Sequence, residues 1–130
     1  INPHRYLKNM RILFVCVGNT CRSQMAEALA RDRGHFAQSA GTHPGTRIAP
    51  NAVVVLNELG INAEGQSPKS INDIDSEGFD RIISMGCGVE CPSLHFSADW
   101  KLEDPVGQSM MVYRLTRDRI RALLDELPQS

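Results

Sequence analysis

Apolar and polar positions divide the chain into short blocks of two kinds. Ile12 to Val17 is an unbroken apolar run of six residues within MRILFVCV. A run without polar alternation is what a strand covered on both faces requires, so Met10 to Val17 reads as a buried parallel strand. The period changes at Ser23. In SQMAEALARDRG, Met25, Leu29 and the alanines share one helical face, Ser23 is a capping-type residue at the start, and Gly34 stops the pattern. A second strand is expected over Phe36 to Ala40, followed by the loop GTHPGTRIAP. The helix NAVVVLNELG comes next, with Pro50 in its first turn and Gly60 past its end. Asp80 to Met85 predicts a third strand, Gly86 to Ser97 a loop or one short helical turn, and SADWKLEDP a fourth short strand ending near Trp100. The last block, Met110 to Leu127, sets Met111, Leu115, Ile120, Leu123, Leu124 and Leu127 at helical spacing toward a core, with arginines on the expected solvated face. Strand and helix in alternation give an α/β fold with a parallel sheet and right-handed crossovers.

Size and composition narrow the class without changing that outline. The 130 residues are 42% hydrophobic and 22% charged, which fits one compact domain and excludes a disordered or disulfide-dense chain. Residues 10–130 are expected to form that domain, and residues 1–9, INPHRYLKN, an extension before the first strand with no assigned function. Fourteen basic against fifteen acidic residues leave a net charge of −1 with no run of one sign, so no nucleic acid or membrane partner is expected. No segment has the length of a membrane span or the layout of a signal peptide, which makes the cytoplasm the default location. Four cysteines, Cys16, Cys21, Cys87 and Cys91, are sparse for a disulfide framework and suit packing, metal or redox chemistry in a reducing compartment.

The most informative residues are CVGNTCRS, Cys16 to Ser23, between the first strand and the first helix. Ligands of parallel sheets gather at the carboxyl ends of strands. A loop running into a helix N-terminus turns several N–H groups inward, and the amides of Val17, Gly18, Asn19, Thr20, Cys21, Arg22 and Ser23 become candidate binders of a tetrahedral oxyanion. Cys16 lies where that field is strongest, and its thiol is expected to ionise well below the free value of about 8.5. Arg22 can hold two oxyanion oxygens in its planar fork, Ser23 can donate to the thiolate, Gly18 allows close backbone approach, and Asn19 suits a left-handed backbone position. The competing reading, a strand-ending cysteine and a surface arginine, does not account for all of these falling together.

VCVGNTCRS resembles the active-site loop of the low-molecular-weight protein tyrosine phosphatases and of the arsenate reductases built on the same fold, and the likeness runs from Arg11 to about Leu127. It implies a three-layer, four-stranded parallel sheet flanked by helices, Cys16 as nucleophile, and Arg22 with the loop amides as oxyanion binders. Gln24 stands where the phosphatases usually have proline. SQMAE, with SAGT at 39–42, SPKSI at 67–71, MGCGVECP at 85–92 and DWKLEDPVG at 99–107, is similar to the reductase branch, of thioredoxin-coupled type. That resemblance implies a cascade in which Cys16 attacks arsenate, Cys87 attacks the sulfur of the arseno-thioester to release arsenite, and Cys91 resolves the Cys16–Cys87 disulfide. Four residues of helix rise about 6 Å, within the reach of a disulfide, so Cys87 and Cys91 can pair across a single turn. They stand closer together than in the best-known thioredoxin-coupled pattern, which leaves the order of the relay open. Gly86 and Gly88 beside Cys87, with Pro92 after Cys91, suit a segment that rearranges.

Asp104, followed by Pro105, matches the family's general acid; on turn chemistry alone it is an Asp-Pro turn. Val106 and Gly107 follow where eukaryotic phosphatases of this fold carry aromatic residues, leaving little wall for an aromatic ester. Cys21 either packs the loop or forms a protective disulfide. Cys87, Cys91 and His95 fall in a possible zinc row, but Pro92 interrupts any helix there and no fourth ligand has suitable spacing, so no metal and no bound cofactor are expected. The expected partners are arsenate, phosphate as a competing anion, and thioredoxin or another dithiol donor, the protein being a monomer or homodimer. The rival activities are phosphotyrosine or small phosphomonoester hydrolysis and non-enzymatic arsenic or zinc sensing.

Overall fold

A computed structural model describes residues 9–86 and 94–127. Its elements follow the order β1 (Arg11–Cys16), α1 (Arg22–Asp32), β2 (Phe36–Gly41), α2 (Pro50–Asn57), a 3-10 turn at Ile71–Asp73, β3 (Arg81–Ser84), β4 (Ala98–Asp99) and α3 (Met110–Asp125). The strands form a four-stranded parallel sheet in the order β2-β1-β3-β4. Central β1 pairs with β2 from Arg11↔Phe36 to Cys16↔Gly41 and with β3 from Ile12↔Arg81 to Val15↔Ser84.

The apolar run of β1 feeds both faces of this sheet. Ile12, Phe14 and Cys16 enter the larger core with Met25 and Leu29 of α1, Val55 and Leu56 of α2, and Ile120 and Leu124 of α3. Leu13 and Val15 point the other way, to Ala40, Ile82 and Leu94, with Ile71, Ile74, Phe79 and Phe96 packed around them. Phe14 also meets Trp100, ring centroids 5.5 Å apart. Burying such a side chain contributes about 1.5–3 kcal/mol, so β1 is the element the sheet can least do without.

Two sequence expectations change here. The inward stripe of α3 is Tyr113, Thr116, Arg117, Ile120 and Leu124, while Met111 and Leu115, expected in the core, are 58% and 62% exposed. Arg117, expected on the solvated face, is only 7% exposed. Its Nη1 donates to Val55 O at 2.9 Å and to Glu58 Oε1 at 2.7 Å, so a guanidinium satisfies a carbonyl in the last turn of α2, where no helical N–H is left to do so. Periodicity alone ranks a leucine above an arginine and misses that demand. Ser23, expected to cap α1, lies inside it. The cap position is Cys21, which makes no side-chain cap hydrogen bond. The Ser23 hydroxyl is turned to the site instead.

Candidate functional site

The loop from Cys16 to Cys21 leaves β1 and enters α1, and its carbonyls are all turned away from the space it encloses. Cys16 O accepts from Thr42 N, Val17 O from His43 N, Gly18 O from Gly45 N, Thr20 O from Ala49 N and Cys21 O from Met25 N, at 2.8–3.1 Å. Asn19 O accepts from Gln24 Nε2 at 3.0 Å. A peptide whose carbonyl is held on one side presents its N–H on the other, and the first N–H groups of α1 have no intrahelical acceptor. The result is an inward ring of donors at the positive end of a helix. Residues 42–49, unremarkable in the sequence, fix this geometry through main-chain bonds that no side-chain motif advertises.

Two glycines beside the loop permit close approaches of protein atoms. A Cβ on Gly18 would meet nothing nearer than Thr20 Oγ1 at 3.7 Å, whereas one on Gly41 would lie 2.5 Å from Val17 O and one on Gly45 2.7 Å from Thr20 Cγ2. Asn19 does adopt the left-handed conformation, φ 52°.

At the floor of the ring Cys16 is buried at 4% exposure, and polar donors reach its sulfur. Asn19 N–H donates to Sγ at 3.0 Å, and Ser23 Oγ lies 2.9 Å from Sγ. The direction of that second bond follows from the next one. Asn19 Nδ2 donates to Ser23 Oγ at 2.8 Å, so the hydroxyl accepts there and its single proton is free to point at the sulfur. Two donors aimed at one sulfur stabilise negative charge on it. Asn19 is itself held: its Oδ1 accepts from Lys69 N at 3.0 Å and Gln24 Nε2 at 3.2 Å, and Gln66 Nε2 donates to Gln24 Oε1 at 2.8 Å. Gln24 thus has a physical role that a proline in its place, with no side-chain amide, cannot fill. Gln66 and Lys69 are further residues that the sequence did not single out individually.

Above the sulfur a cavity of about 210 Å³ is lined by residues 16–22 together with Asp104 and Val106. The structure therefore brings Cys16, Val17, Gly18, Asn19, Thr20, Cys21, Arg22 and Asp104 to one space, with Ser23 behind the sulfur. Arg22 lines this space but is also tied down, its Nη1 donating to Leu102 O at 3.0 Å and Met85 O at 3.3 Å, and its Nη2 standing 3.8 Å from Asp104 Oδ2. The fork is braced by the two chain segments that follow β3 and β4. Asp104 makes the expected local turn, its Oδ1 accepting from Val106 N at 3.1 Å, and its half-exposed carboxyl lines the cavity. Cys21 is a packing residue in this geometry. Burial first, then the negative charges of Asp104 and Cys16, push its thiol up to about 12 against the opposing pull of Arg22.

Cys87 and Cys91 lie outside the described residues, as does Gly88. Gly86, expected to lend mobility beside Cys87, has a firm local reason to be glycine. It sits at φ +90°, and a Cβ there would fall 2.5 Å from Lys101 Cα. Among the described residues no group of three or more His, Cys, Asp or Glu could hold a metal ion, and no helix is long and apolar enough to cross a membrane.

The chain is similar over about nine tenths of its length to proteins of known name and structure. It is 36% identical over 124 residues to the glutaredoxin arsenate reductase of Synechocystis sp., covering 90% of this chain and 95% of that protein. The protein-arginine-phosphatase of Geobacillus stearothermophilus is 33% identical over 144 residues, with 92% and 95% covered. A solved structure of an arsenate reductase in the phosphate binding state superposes with a TM-score of 0.82 at 35% identity, over 89% of this chain and 94% of the other. Residues 11–130 match the low molecular weight phosphotyrosine protein phosphatase family, and with that match running from the first strand to the end of the chain, the protein belongs to this family.

Proposed function

We propose that the chain is an arsenate reductase in which residues 16–23 bind the arsenate dianion and Cys16 attacks it. The observation that supports this most directly is the sulfur receiving Asn19 N–H and Ser23 O–H at the floor of the 210 Å³ cavity. The resemblance to reductases in sequence and structure adds to it.

The steps balance without a bound cofactor. The Cys16 thiolate forms a bond to arsenic, and one arsenic–oxygen bond breaks. Asp104 supplies the proton with which that oxygen leaves as water, while Arg22 and the loop amides hold the remaining oxygens. The Cys87 thiolate then attacks the Cys16 sulfur. A disulfide forms, the sulfur–arsenic electron pair stays on arsenic, and As(V) leaves as As(III) arsenite. Cys91 attacks Cys87, returning the Cys16 thiolate and leaving a Cys87–Cys91 disulfide. An external dithiol reduces that bond by exchange and is itself oxidised. A thioredoxin or a glutaredoxin supplies that chemistry, the latter being in the name of the Synechocystis relative.

Phosphate-ester cleavage is the second reading, favoured by the phosphatase relative and by Asp104 at the cavity. It needs Cys16, Asp104 and water but no further thiol. Steady-state assays of Cys87→Ser separate the two. Loss of arsenate turnover with cleavage of p-nitrophenyl phosphate retained is the expected result, and arsenate turnover at the original rate would overturn the relay.

A further inference from the structure

Three segments that carry the family resemblance, SQMAE, SAGT and SPKSI, meet at a buried group that the proposed chemistry does not use. Glu27, from the first, has a side chain only 2% exposed on the sheet side of α1. Ser39 of β2, from the second, donates Oγ–H to its Oε1 at 2.8 Å. Lys69, from the third, brings Nζ to 3.6 Å from the same oxygen, and Arg31 Nη1 lies 3.3 Å from Oε2. A carboxylate so enclosed needs paired charge and hydrogen bonds to stay ionised, and these partners provide them.

The placement of Lys69 goes beyond neutralising charge. Its Nζ also donates to Ser67 O at 3.3 Å, so the ammonium links the 67–69 segment to α1. From that fixed segment Lys69 N donates to Asn19 Oδ1 at 3.0 Å, and Lys69 O accepts from Gly41 N at 2.8 Å. Asn19 in turn donates its own N–H to Cys16 Sγ. A continuous chain of polar contacts therefore runs from the Glu27 carboxylate through Lys69 and Asn19 to the sulfur.

We propose that Lys69 is a positioning residue of the anion loop, its ammonium anchored on Glu27 so that its main-chain N–H fixes Asn19 against Cys16. This rests on Cys16 being the reactive thiol of an oxyanion site. It extends that reading to a residue that does not touch the oxyanion.

The test is the rate of Cys16 carbamidomethylation by iodoacetamide at neutral pH, read by peptide mass spectrometry with and without inorganic phosphate, alongside thermal unfolding. In the unsubstituted protein Cys16 should react and phosphate should protect it; an inert or unprotected Cys16 would remove the oxyanion reading itself. Lys69→Met should slow the reaction about tenfold and weaken phosphate protection, while Lys69→Arg keeps the rate within about threefold. The double variant Glu27→Gln with Lys69→Met carries no uncompensated buried carboxylate and should recover folding stability. Its Cys16 should stay slow, because the anchor is still missing. A double variant that recovers stability and Cys16 reactivity together would reduce Lys69 to a structural counter-charge, as would a folded Lys69→Met protein reacting at the original rate.

Discussion

The direction of one hydrogen bond can be reversed with little change of shape. Asn19→Asp replaces Nδ2, which donates to Ser23 Oγ at 2.8 Å, by an oxygen that can only accept when ionised. The other oxygen keeps its donors, Lys69 N and Gln24 Nε2. The Ser23 proton then turns from the sulfur to the new carboxylate, and Cys16 loses that donor. A hydrogen bond to a charged group is worth about 1.5–3 kcal/mol, which lowers the anionic fraction of the sulfur by about 10- to 150-fold. The thiolate that remains is intrinsically more nucleophilic and returns about half of that loss on a logarithmic scale. The net fall in alkylation rate from the lost donor is therefore about 3- to 12-fold, the amount expected for Ser23→Ala. Asn19→Asp adds a negative charge close to the sulfur, worth about 3–4 kcal/mol at 4–6 Å in a medium of effective dielectric near 20. It must be the slower of the two by at least about tenfold. Carbamidomethylation of Cys16 by iodoacetamide in folded protein, with folding checked by circular dichroism, measures both. Ser23→Ala reacting at the rate of the unsubstituted protein would refute the assigned hydrogen-bond direction.

Cys21 should remain unmodified by iodoacetamide at pH 8 while Cys16 is labelled in the same digest. Because folding raises the Cys21 thiol from 9.0 to about 12, the unfolded chain loses a proton in that interval that the folded chain keeps. Stability should therefore fall as pH rises from about 9 toward 12, and denaturant titrations of Cys21→Ala should show a shallower fall. His35 is shifted down by burial and by Arg33, and its Nδ1 accepts from Met10 N at 3.0 Å. Below its ordinary value of 6.5 the unfolded chain takes up a proton that the folded chain resists. Stability should drop as pH falls through 6.5 and level off below the folded value, a slope that His35→Gln removes. Gly41→Ala sets a methyl group 2.5 Å from Val17 O. Overpacking of this kind costs about 1–3 kcal/mol, seen as a lower melting temperature, and calorimetry should find phosphate binding weakened more than the stability loss explains.

What could be read from the sequence was what a single segment encodes. The unbroken Ile12 to Val17 run gave a strand buried on both faces, and Pro50 marked the first residue of α2. Cys16, Asn19, Arg22 and Ser23 converge because one loop carries them, and Asp104 joins them from a turn that Asp-Pro announces. What escaped was set by the partner segment. Arg117 is buried because α2 ends with a carbonyl in need of a donor, and Leu115 is exposed because α3 turns Tyr113 and Ile120 inward. The backbone brace at residues 42–49 leaves no side-chain pattern at all. Glu27 was closer to legible: an acidic residue one turn after Ser23 on an otherwise apolar helical face asks for a cation, though not which one.

The tethering of six successive carbonyls away from the cavity also bears on selectivity. Since main-chain and Gln24 hydrogen bonds hold those carbonyls, the ring responds to charge and tetrahedral outline, features that phosphorus and arsenic oxyanions share. Discrimination between them must then be deferred to the electron-transfer stage, where arsenic accepts a sulfur-delivered pair and phosphorus does not. Abundant cellular phosphate becomes a brake on throughput rather than a source of wrong product.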